Sequence, residues 1–127
     1  MGSLMGSRAP SVGADIVDIE RMARALRRAG FEERCFTARE RRYCRARRNP
    51  PQHFAARFAA KEALVKAIGR RVSWQDVEVR NERLGRPGLM LRGRAKKLAG
   101  GRHAAMSLAH CDCHAMALVI LCGGTAQ

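Results

Sequence analysis

Aromatic side chains are scarce in this 127-residue chain, with one tryptophan, one tyrosine and four phenylalanines making up 5% of it. A stacking platform for single-stranded nucleic acid, which needs several aromatic rings, is therefore poorly supplied. The spacings of a helix-turn-helix or a zinc finger are also missing. The longest apolar run, at residues 115–122, is far shorter than the roughly 20 residues that a membrane helix needs. We therefore expect neither a nucleic-acid reader nor a membrane protein.

Acidic residues are few, since 11 Asp and Glu stand against 25 Lys and Arg, and the net charge is +14. This excess predicts an acidic partner, and composition cannot decide among nucleic acid, an anionic membrane and an acidic protein. A chain of 127 residues has the length of one domain, and its 46% of hydrophobic residues is enough to form a core. We expect a flexible leader or tag at residues 1–11, a domain at 12–122 and a C-terminal tail at 123–127.

The five cysteines, an odd number without a secretory signal, predict reduced thiols and a soluble, cytoplasmic protein. Two histidines and two cysteines, four possible metal ligands, lie within the segment HCDCH at residues 110–114. On a strand its cysteines and its histidines would point to opposite faces, and no second ligand pair completes a zinc site. Structural zinc is therefore disfavoured, and the role of Cys111, Asp112 and Cys113 stays open.

Periodicity and turn residues predict an α+β chain with an antiparallel sheet. The expected elements are a strand at 12–17, helices at 18–29, 38–47 and 52–68, a hairpin at 74–80 and 88–92, a helix at 94–99 and a strand pair at 104–108 and 115–122. Thr37 and Glu40 have the spacing of a capping box at the start of the second of these helices. Gly69 is the expected stop of the longest helix.

Glu62 is an acidic residue within the longest predicted helix, beside an apolar stripe. Helical spacing puts Phe54, Phe58, Val65 and Ile68 on that stripe. A charge placed among apolar side chains has to be paired or to coordinate a metal. One interpretation is an ion pair with Lys66 at i,i+4, and the alternative is a ligand site.

Asp15 interrupts a short run of strand-forming residues, although strands are depleted in aspartate. Asp18 is explained as the N-cap of the first helix, whereas Asp15 is harder to explain in this way. Two carboxylates, one on a strand and one on a helix, could together hold Mg²⁺, which in proteins takes one or two carboxylates plus substrate phosphates.

Two segments carry a family resemblance. GADIVDI at residues 13–19 and RFAAKEALVK at 57–66 resemble the signature blocks of the holo-[acyl-carrier-protein] synthases, the short class of 4′-phosphopantetheinyl transferases. Phe36-Thr37 with Glu40, SWQDVEV at 73–79, GRP at 85–87 and SLAH at 107–110 agree as well. The resemblance runs in order from Val12 to Leu121. It implies a single 4′-phosphopantetheinyl transferase-type domain with one long helix packed on an antiparallel sheet.

The resemblance also implies a reaction, the transfer of phosphopantetheine from coenzyme A to a serine of acyl carrier protein, releasing adenosine 3′,5′-bisphosphate. Asp15 and Glu62 would hold Mg²⁺ against the pyrophosphate of coenzyme A. Glu62, directly or through a water, would accept the serine proton, and Lys66 would contact the phosphate. Five residues are expected to bind coenzyme A, namely Arg57, Lys61, Lys66, Ser107 and His110.

The partner is expected on the first helix, where Arg21, Arg24 and Arg28 form a basic face. A solvated face is the ordinary interpretation of such a pattern. Family members use this helix to dock acidic acyl carrier protein, and Arg21 matches best. The resemblance further implies a homotrimer, whose interfaces would each combine Asp15, Glu62 and Lys66 of one subunit with His110 of the next.

Two alternatives belong to other classes. A small basic nucleic-acid-binding protein would use its arginine clusters on phosphates, but it would gain nothing from Asp15 and Glu62. A catalytically inactive relative could bind carrier protein alone, although it would not need Asp15, Glu62 and Lys66. Neither the carrier protein, nor the pathway (fatty-acid or polyketide synthesis), nor the preference for Mg²⁺ over Mn²⁺ can be decided from these residues.

Overall fold

The computed structural model describes residues 9–81 and 85–123. The elements in chain order are β1 (Ser11–Asp18), α1 (Ile19–Ala25), α2 (Phe31–Cys35), α3 (Ala38–Arg45), α4 (Pro50–Ile68), a short 3-10 helix (Trp74–Asp76), β2 (Val77–Asn81), β3 (Pro87–Leu91), α5 (Gly93–Ala99), β4 (His103–His110) and β5 (His114–Cys122). Most of the predicted leader and tail, and the tip of the predicted hairpin, lie outside the described residues.

The described strands form two antiparallel sheets. One has three strands in the order β1-β5-β4, and the other is the pair β2-β3. Asp15 pairs with Ala117 of β5, which in turn pairs with Leu108 of β4. Because β5 is central, β1 and β4 are the two edges of this sheet. The predicted α+β fold with an antiparallel sheet is confirmed.

The long helix α4 packs against β1 and β5, and Gly13 lets it approach closely. A Cβ at Gly13 would lie 2.0 Å from the carbonyl oxygen of Ala63 and 2.8 Å from the amide nitrogen of Ala67. No side chain fits such a gap, because both neighbours are backbone atoms. The close approach brings the α4 side chains to the level of the strand that carries Asp15.

The predicted apolar stripe on this helix is confirmed only in part, since Phe54 is fully buried and Phe58 and Ile68 pack against the core from its edge. Phe58, Val65 and Ile68 are only partly buried, whereas the fully buried side is built mainly from alanines. The buried alanines of α4 are Ala55, Ala56, Ala59, Ala60, Ala63 and Ala67. Small side chains suit a helix that touches a strand at glycine, since larger ones would hold the two backbones apart.

Two helix boundaries also differ from the prediction. The first helix ends at Ala25 instead of residue 29, and Gly30, in the left-handed region at φ 81°, precedes the unpredicted helix α2. Pro50 begins α4 instead of ending the helix before it, which agrees with the tolerance of proline in a first helical turn. The Thr37–Glu40 capping box and the stop at Gly69 are both confirmed.

None of the helices in the described part of the chain is long and apolar enough to span a membrane. All five cysteines are free thiols. Cys44 is buried, which raises the pKa of its thiol to about 12. Cys111 and Cys113 are exposed in the turn between β4 and β5, so the strand geometry considered for the HCDCH segment does not apply.

Candidate active site

Asp15 and Lys66 join β1 to α4. The Lys66 ammonium lies 3.2 Å from Oδ1 of Asp15 and donates a hydrogen bond of 2.9 Å to the carbonyl oxygen of Ala14. The Asp15 side chain is largely shielded, while Lys66 is more than half exposed. A carboxylate and an ammonium therefore stand together at the edge of the sheet, open to solvent on the side of the cation.

Glu62 precedes Lys66 by one turn of α4, so both side chains leave the helix on the same side. Its partner is Arg71, whose Nη1 atom lies 3.2 Å from Oε1 of Glu62. The alternative of an ion pair between Glu62 and Lys66 is wrong, since Lys66 reaches Asp15 instead. Each carboxylate is thus held by a different cation at the protein surface.

Asp15 and Glu62 supply the kind of donor that Mg²⁺ prefers, because carboxylate oxygens are hard ligands. Within residues 9–81 and 85–123, no group of three or more His, Cys, Asp or Glu side chains is placed to hold a metal. A two-carboxylate site is therefore incomplete without oxygens from a ligand. That is the usual situation of Mg²⁺ bound to substrate phosphates, so the residues fit this ion.

A groove of about 310 Å³ runs from Asp15 along α1, and we call it the α1 groove. Its basic members are Arg21 and Arg28, and its apolar members include Phe31 and Phe58. Arg28 lies beyond the end of α1, so the predicted single helical face is wrong, although both arginines still line the same groove. Arg24 is outside this lining and pairs with Glu20 at 3.5 Å.

Asp18 fixes the start of α1 at the end of the groove. Its side chain accepts a hydrogen bond of 2.9 Å from the backbone N–H of Arg21. This hydrogen bond is the main cause that lowers the pKa of the exposed Asp18 carboxyl. The predicted N-cap is confirmed, and it orients the first turn of α1, including Arg21, next to β1.

A second pocket of about 180 Å³ surrounds Arg57 and contains His110, and we call it the Arg57 pocket. The Arg57 side chain is buried, donates to Oδ1 of Asn81 at 3.1 Å and lies 4.2 Å from the ring centroid of Tyr43. Its Nε atom is buried without a hydrogen-bond partner. A buried cation with an unused donor suits an anionic ligand, because an unsatisfied buried group is costly.

Two histidines, His53 and His110, also line the Arg57 pocket. His110 lies 3.1 Å from the side-chain nitrogen of Gln52, and His53 lines the same pocket. Burial lowers the pKa of His53, and the charges of Arg57 and Arg47 lower it further. His53 is thus harder to protonate than a free histidine, whereas Arg57 is a permanent cation inside the pocket.

The two sites lie on different sides of α4. At about 100° per residue, Arg57 and Glu62 project roughly 140° apart around the helix. Gln52, the contact of His110, lies about 15 Å from Glu62 along the helix axis. One chain therefore presents a carboxylate half-site (Asp15, Glu62 and Lys66) and, separately, the Arg57 pocket.

One predicted coenzyme A contact needs correction. Lys61 is fully buried, pairs with Glu40 at 2.7 Å and donates to the carbonyl oxygens of Cys35 and Trp74, both at 2.9 Å. Its three donors are used inside the protein, so Lys61 does not face a ligand. Ser107 lies on the exposed outer face of the three-stranded sheet, opposite Leu118, and does not line the Arg57 pocket, so its contact with coenzyme A stays a prediction.

Comparisons with known proteins show the family of this chain. The model of the 4′-phosphopantetheinyl transferase superfamily matches residues 11–111. The chain belongs to this superfamily. Among curated relatives, the holo-[acyl-carrier-protein] synthase of Koribacter versatilis is 45% identical over 118 residues, covering 86% of this chain and 94% of that protein. The corresponding synthase of Caldanaerobacter subterraneus is 39% identical over 120 residues, covering 89% and 94%.

Solved structures of other phosphopantetheinyl transferases have the same fold. An ACPS–CoA complex from Chronobacterium ammoniagenes matches with a TM-score of 0.81 and 34% identity, covering 94% of this chain and 100% of that chain. A holo-(acyl-carrier-protein) synthase from Bacillus anthracis in complex with CoA (3′,5′-ADP) matches with a TM-score of 0.77 and 32% identity, covering 90% and 96%. The predicted family and enzyme class are confirmed, so the chain is a phosphopantetheinyl transferase of the holo-[acyl-carrier-protein] synthase kind.

Several contacts of the site were not predicted. Gln52 and His53 of α4 and Asn81 of β2 line the Arg57 pocket, and Arg71 reaches Glu62 from the loop after α4. Their neighbours in sequence give no signal for these roles, because each contact depends on how α4 lies against the rest of the fold. His53 is the partial exception, since it lies one helical turn before Arg57 on α4.

Proposed function

We propose that this enzyme transfers 4′-phosphopantetheine from coenzyme A to a serine hydroxyl of apo acyl carrier protein in a Mg²⁺-dependent reaction. The observation that carries the proposal is the pair of half-sites on α4. The carboxylate half-site suits a metal-bound pyrophosphate, and the Arg57 pocket suits a further phosphate. Coenzyme A has both groups, and the relatives from C. ammoniagenes and B. anthracis were solved with it.

In this reaction the serine oxygen attacks the phosphorus that bears the pantetheine arm. The bond from that phosphorus to the bridging oxygen breaks, and adenosine 3′,5′-bisphosphate leaves. Glu62 accepts the serine proton, directly or through a water. Asp15 and Glu62 would hold Mg²⁺, which supplies charge neutralisation for the leaving group. Lys66 adds a positive charge near Asp15, where the pyrophosphate would lie.

The Arg57 pocket is the proposed site of the 3′-phosphate. Arg57 offers a buried guanidinium with a free Nε donor, and His110 stands at the same pocket. Arginine binds phosphate with paired, directional hydrogen bonds. Ser107 stays a predicted contact of coenzyme A on the outer face of the sheet, whereas Lys61 has no part in this proposal.

The α1 groove is the proposed docking site of the carrier protein. Arg21 and Arg28 would attract acidic side chains of the carrier, and Phe31 and Phe58 in the same groove would contact its apolar side chains. The groove ends at Asp15, so a docked carrier would bring its serine to the carboxylate half-site. Arg24, paired with Glu20, is a more distant member of the same basic surface.

A homotrimer is proposed because the two half-sites cannot meet within one chain. The pyrophosphate and the 3′-phosphate belong to one short nucleotide, whereas the half-sites face different sides of α4. They also adjoin the two opposite edges of the three-stranded sheet, β1 and β4. In a head-to-tail ring, the β1 side of one subunit would meet the β4 side of the next, and three such contacts close.

The outer face of that sheet supports the same assembly. Val12 and Ile16 are 60% and 63% exposed, and they pair with Ile120 and Met116 of β5. Monomeric globular proteins rarely expose a contiguous apolar surface of this kind, so such a surface indicates an interaction site. A second copy of the chain is the proposed occupant, since it would also complete the active site.

The transfer itself is tested by mixing the enzyme with apo acyl carrier protein, coenzyme A and Mg²⁺, and measuring the mass of the carrier. The proposal predicts a mass increase of one phosphopantetheine group that is lost when a chelator removes Mg²⁺ or when the carrier serine is replaced by alanine. An unmodified carrier, or transfer that persists in excess chelator, would contradict it. We expect the reaction to take place in the cytoplasm, in agreement with the free thiols.

A further inference from the structure

The loop after α4 turns one arginine back onto the helix. Gly69 ends α4 with a φ of 84°, and Arg71 follows two residues later. The Arg71 guanidinium lies 3.2 Å from Oε1 of Glu62 and 5.4 Å from the ring centroid of Trp74. Two contacts thus orient a side chain that is 69% exposed. Arg71 stands at a carboxylate that the proposed function assigns to Mg²⁺.

A guanidinium and a metal ion compete for the same carboxylate. Arg71 donates a hydrogen bond to Oε1 of Glu62, and a metal ion would take lone pairs of the same group. Both cations reduce the cost of holding a carboxylate near the protein interior. The energy of this pair is small, because its arginine is exposed, and such pairs contribute at most about 1 kcal/mol, equivalent to about fivefold in an affinity.

A released guanidinium would be well placed for another anion. Glu62 and Lys66 bracket the position proposed for the pyrophosphate, and Arg71 approaches from the Glu62 side. Phosphate oxygens match the planar donor fork of arginine better than a single carboxylate oxygen does. The guanidinium can stay near the Trp74 ring when it leaves Glu62, since its contact with the ring does not require the carboxylate.

We propose that Arg71 is a built-in counter-ion of Glu62 that is displaced when the metal binds and then contacts the pyrophosphate of coenzyme A. This inference rests on the proposed function, because it requires Glu62 to be a metal ligand. It makes Arg71 a substrate-binding residue with opposite effects on the binding of metal and of coenzyme A. Arg71 weakens the binding of metal alone, and it strengthens the binding of coenzyme A in the presence of metal.

Arg71→Gln tests the inference, with Arg70→Gln as a control of equal charge change in the same loop. The first measurement is Mn²⁺ affinity without coenzyme A, by electron paramagnetic resonance of the free ion. We expect about two- to fivefold tighter binding for Arg71→Gln, within the range that an exposed ion pair allows, and no change for Arg70→Gln. The second is coenzyme A affinity in saturating Mg²⁺, by calorimetry, which we expect to weaken for Arg71→Gln alone.

The opposite signs are the signature that a purely structural role would not produce. An Arg71→Gln protein whose Mn²⁺ affinity is unchanged or weaker, or whose coenzyme A affinity is unchanged, overturns the inference. Equal effects in Arg70→Gln also overturn it, since they would reflect general charge. Glu62→Ala in the same Mn²⁺ measurement separates the two levels of the account. If Glu62→Ala loses Mn²⁺ binding, Glu62 is supported as a metal ligand even when the Arg71 results contradict the inference. If its Mn²⁺ binding is unchanged, both the assignment of Glu62 as a metal ligand and this inference are refuted.

Discussion

Lys66 on α4 lies 3.2 Å from Asp15 on β1, in a contact that joins two elements 51 positions apart in the sequence. Glu62 stands one turn earlier on the same side of the helix. The close packing at Gly13 determines how near α4 lies to β1. The carboxylate half-site therefore depends on the packing of a glycine against alanines.

Asp15→Ala and Glu62→Ala should each lower the transfer rate by at least about 10²–10³-fold, because each removes a group that acts on charge in the transition state. Thermal unfolding should change little, since both carboxylates make surface contacts. Glu20→Ala, which removes an exposed carboxylate paired with Arg24, is the control and should retain activity. Near-normal transfer by either site variant with Mg²⁺ still required would refute the assignment.

Arg57→Met should raise the KM for coenzyme A about ten- to hundredfold, the range expected for a lost hydrogen bond to a charged group. With dephospho-coenzyme A, which lacks the 3′-phosphate, the same substitution should have almost no effect. Arg47→Met is a matched control, because Arg47 also lies 4.2 Å from the Tyr43 ring but does not line the Arg57 pocket. A similar loss with both substrates would place the 3′-phosphate elsewhere.

Arg21→Glu should raise the KM for carrier protein roughly tenfold and leave that for coenzyme A nearly unchanged, because the charge reversal acts on an acidic partner. Added salt should raise the KM of the wild-type enzyme for carrier protein, since salt screens exposed charges. Arg39→Glu, on the exposed part of α3, provides the control for net charge. If both KM values rise equally in Arg21→Glu, the α1 groove is not the docking site.

Lys61→Met and Lys66→Met should separate a structural lysine from a functional one on the same helix. Lys61→Met leaves the buried Glu40 unpaired and should lower the free energy of unfolding by about 3–5 kcal/mol. Lys66→Met should cost less than about 1 kcal/mol and yet reduce transfer strongly. Urea unfolding and assays at a temperature where both proteins are folded provide the measurements. A stable Lys61→Met protein with a raised KM for coenzyme A would restore Lys61 as a ligand contact.

Local signals predicted the parts of the fold that depend on neighbours in sequence. The Thr37–Glu40 capping box, the Asp18 N-cap and the stop at Gly69 need only residues within one helical turn, and all three are present. The end of α1 was misplaced because the arginine periodicity continues past Ala25, where the chain has already left the helix.

The two carboxylates of the site could be predicted from the sequence, but the contacts that they make could not. Asp15 and Glu62 are unusual for a strand and for an apolar helix, so their residue types alone drew attention. Lys61 differs from Glu62 by only one position, but that position rotates it about 100° around α4 and into the core. The partner of Glu62 comes from the loop after α4 and that of Arg57 from β2, and only the packed chain brings them together.

The central claim is that each active site combines the carboxylate half-site of one subunit with the Arg57 pocket of the next. The direct test is to unfold Asp15→Ala and His110→Ala together in equal amounts, refold the mixture and measure transfer. Random mixing in a three-membered head-to-tail ring gives about one quarter of the interfaces two intact halves, so activity should recover toward about one quarter of the wild-type value. Activity that never exceeds that of the separately refolded variants would show that the site lies within one chain.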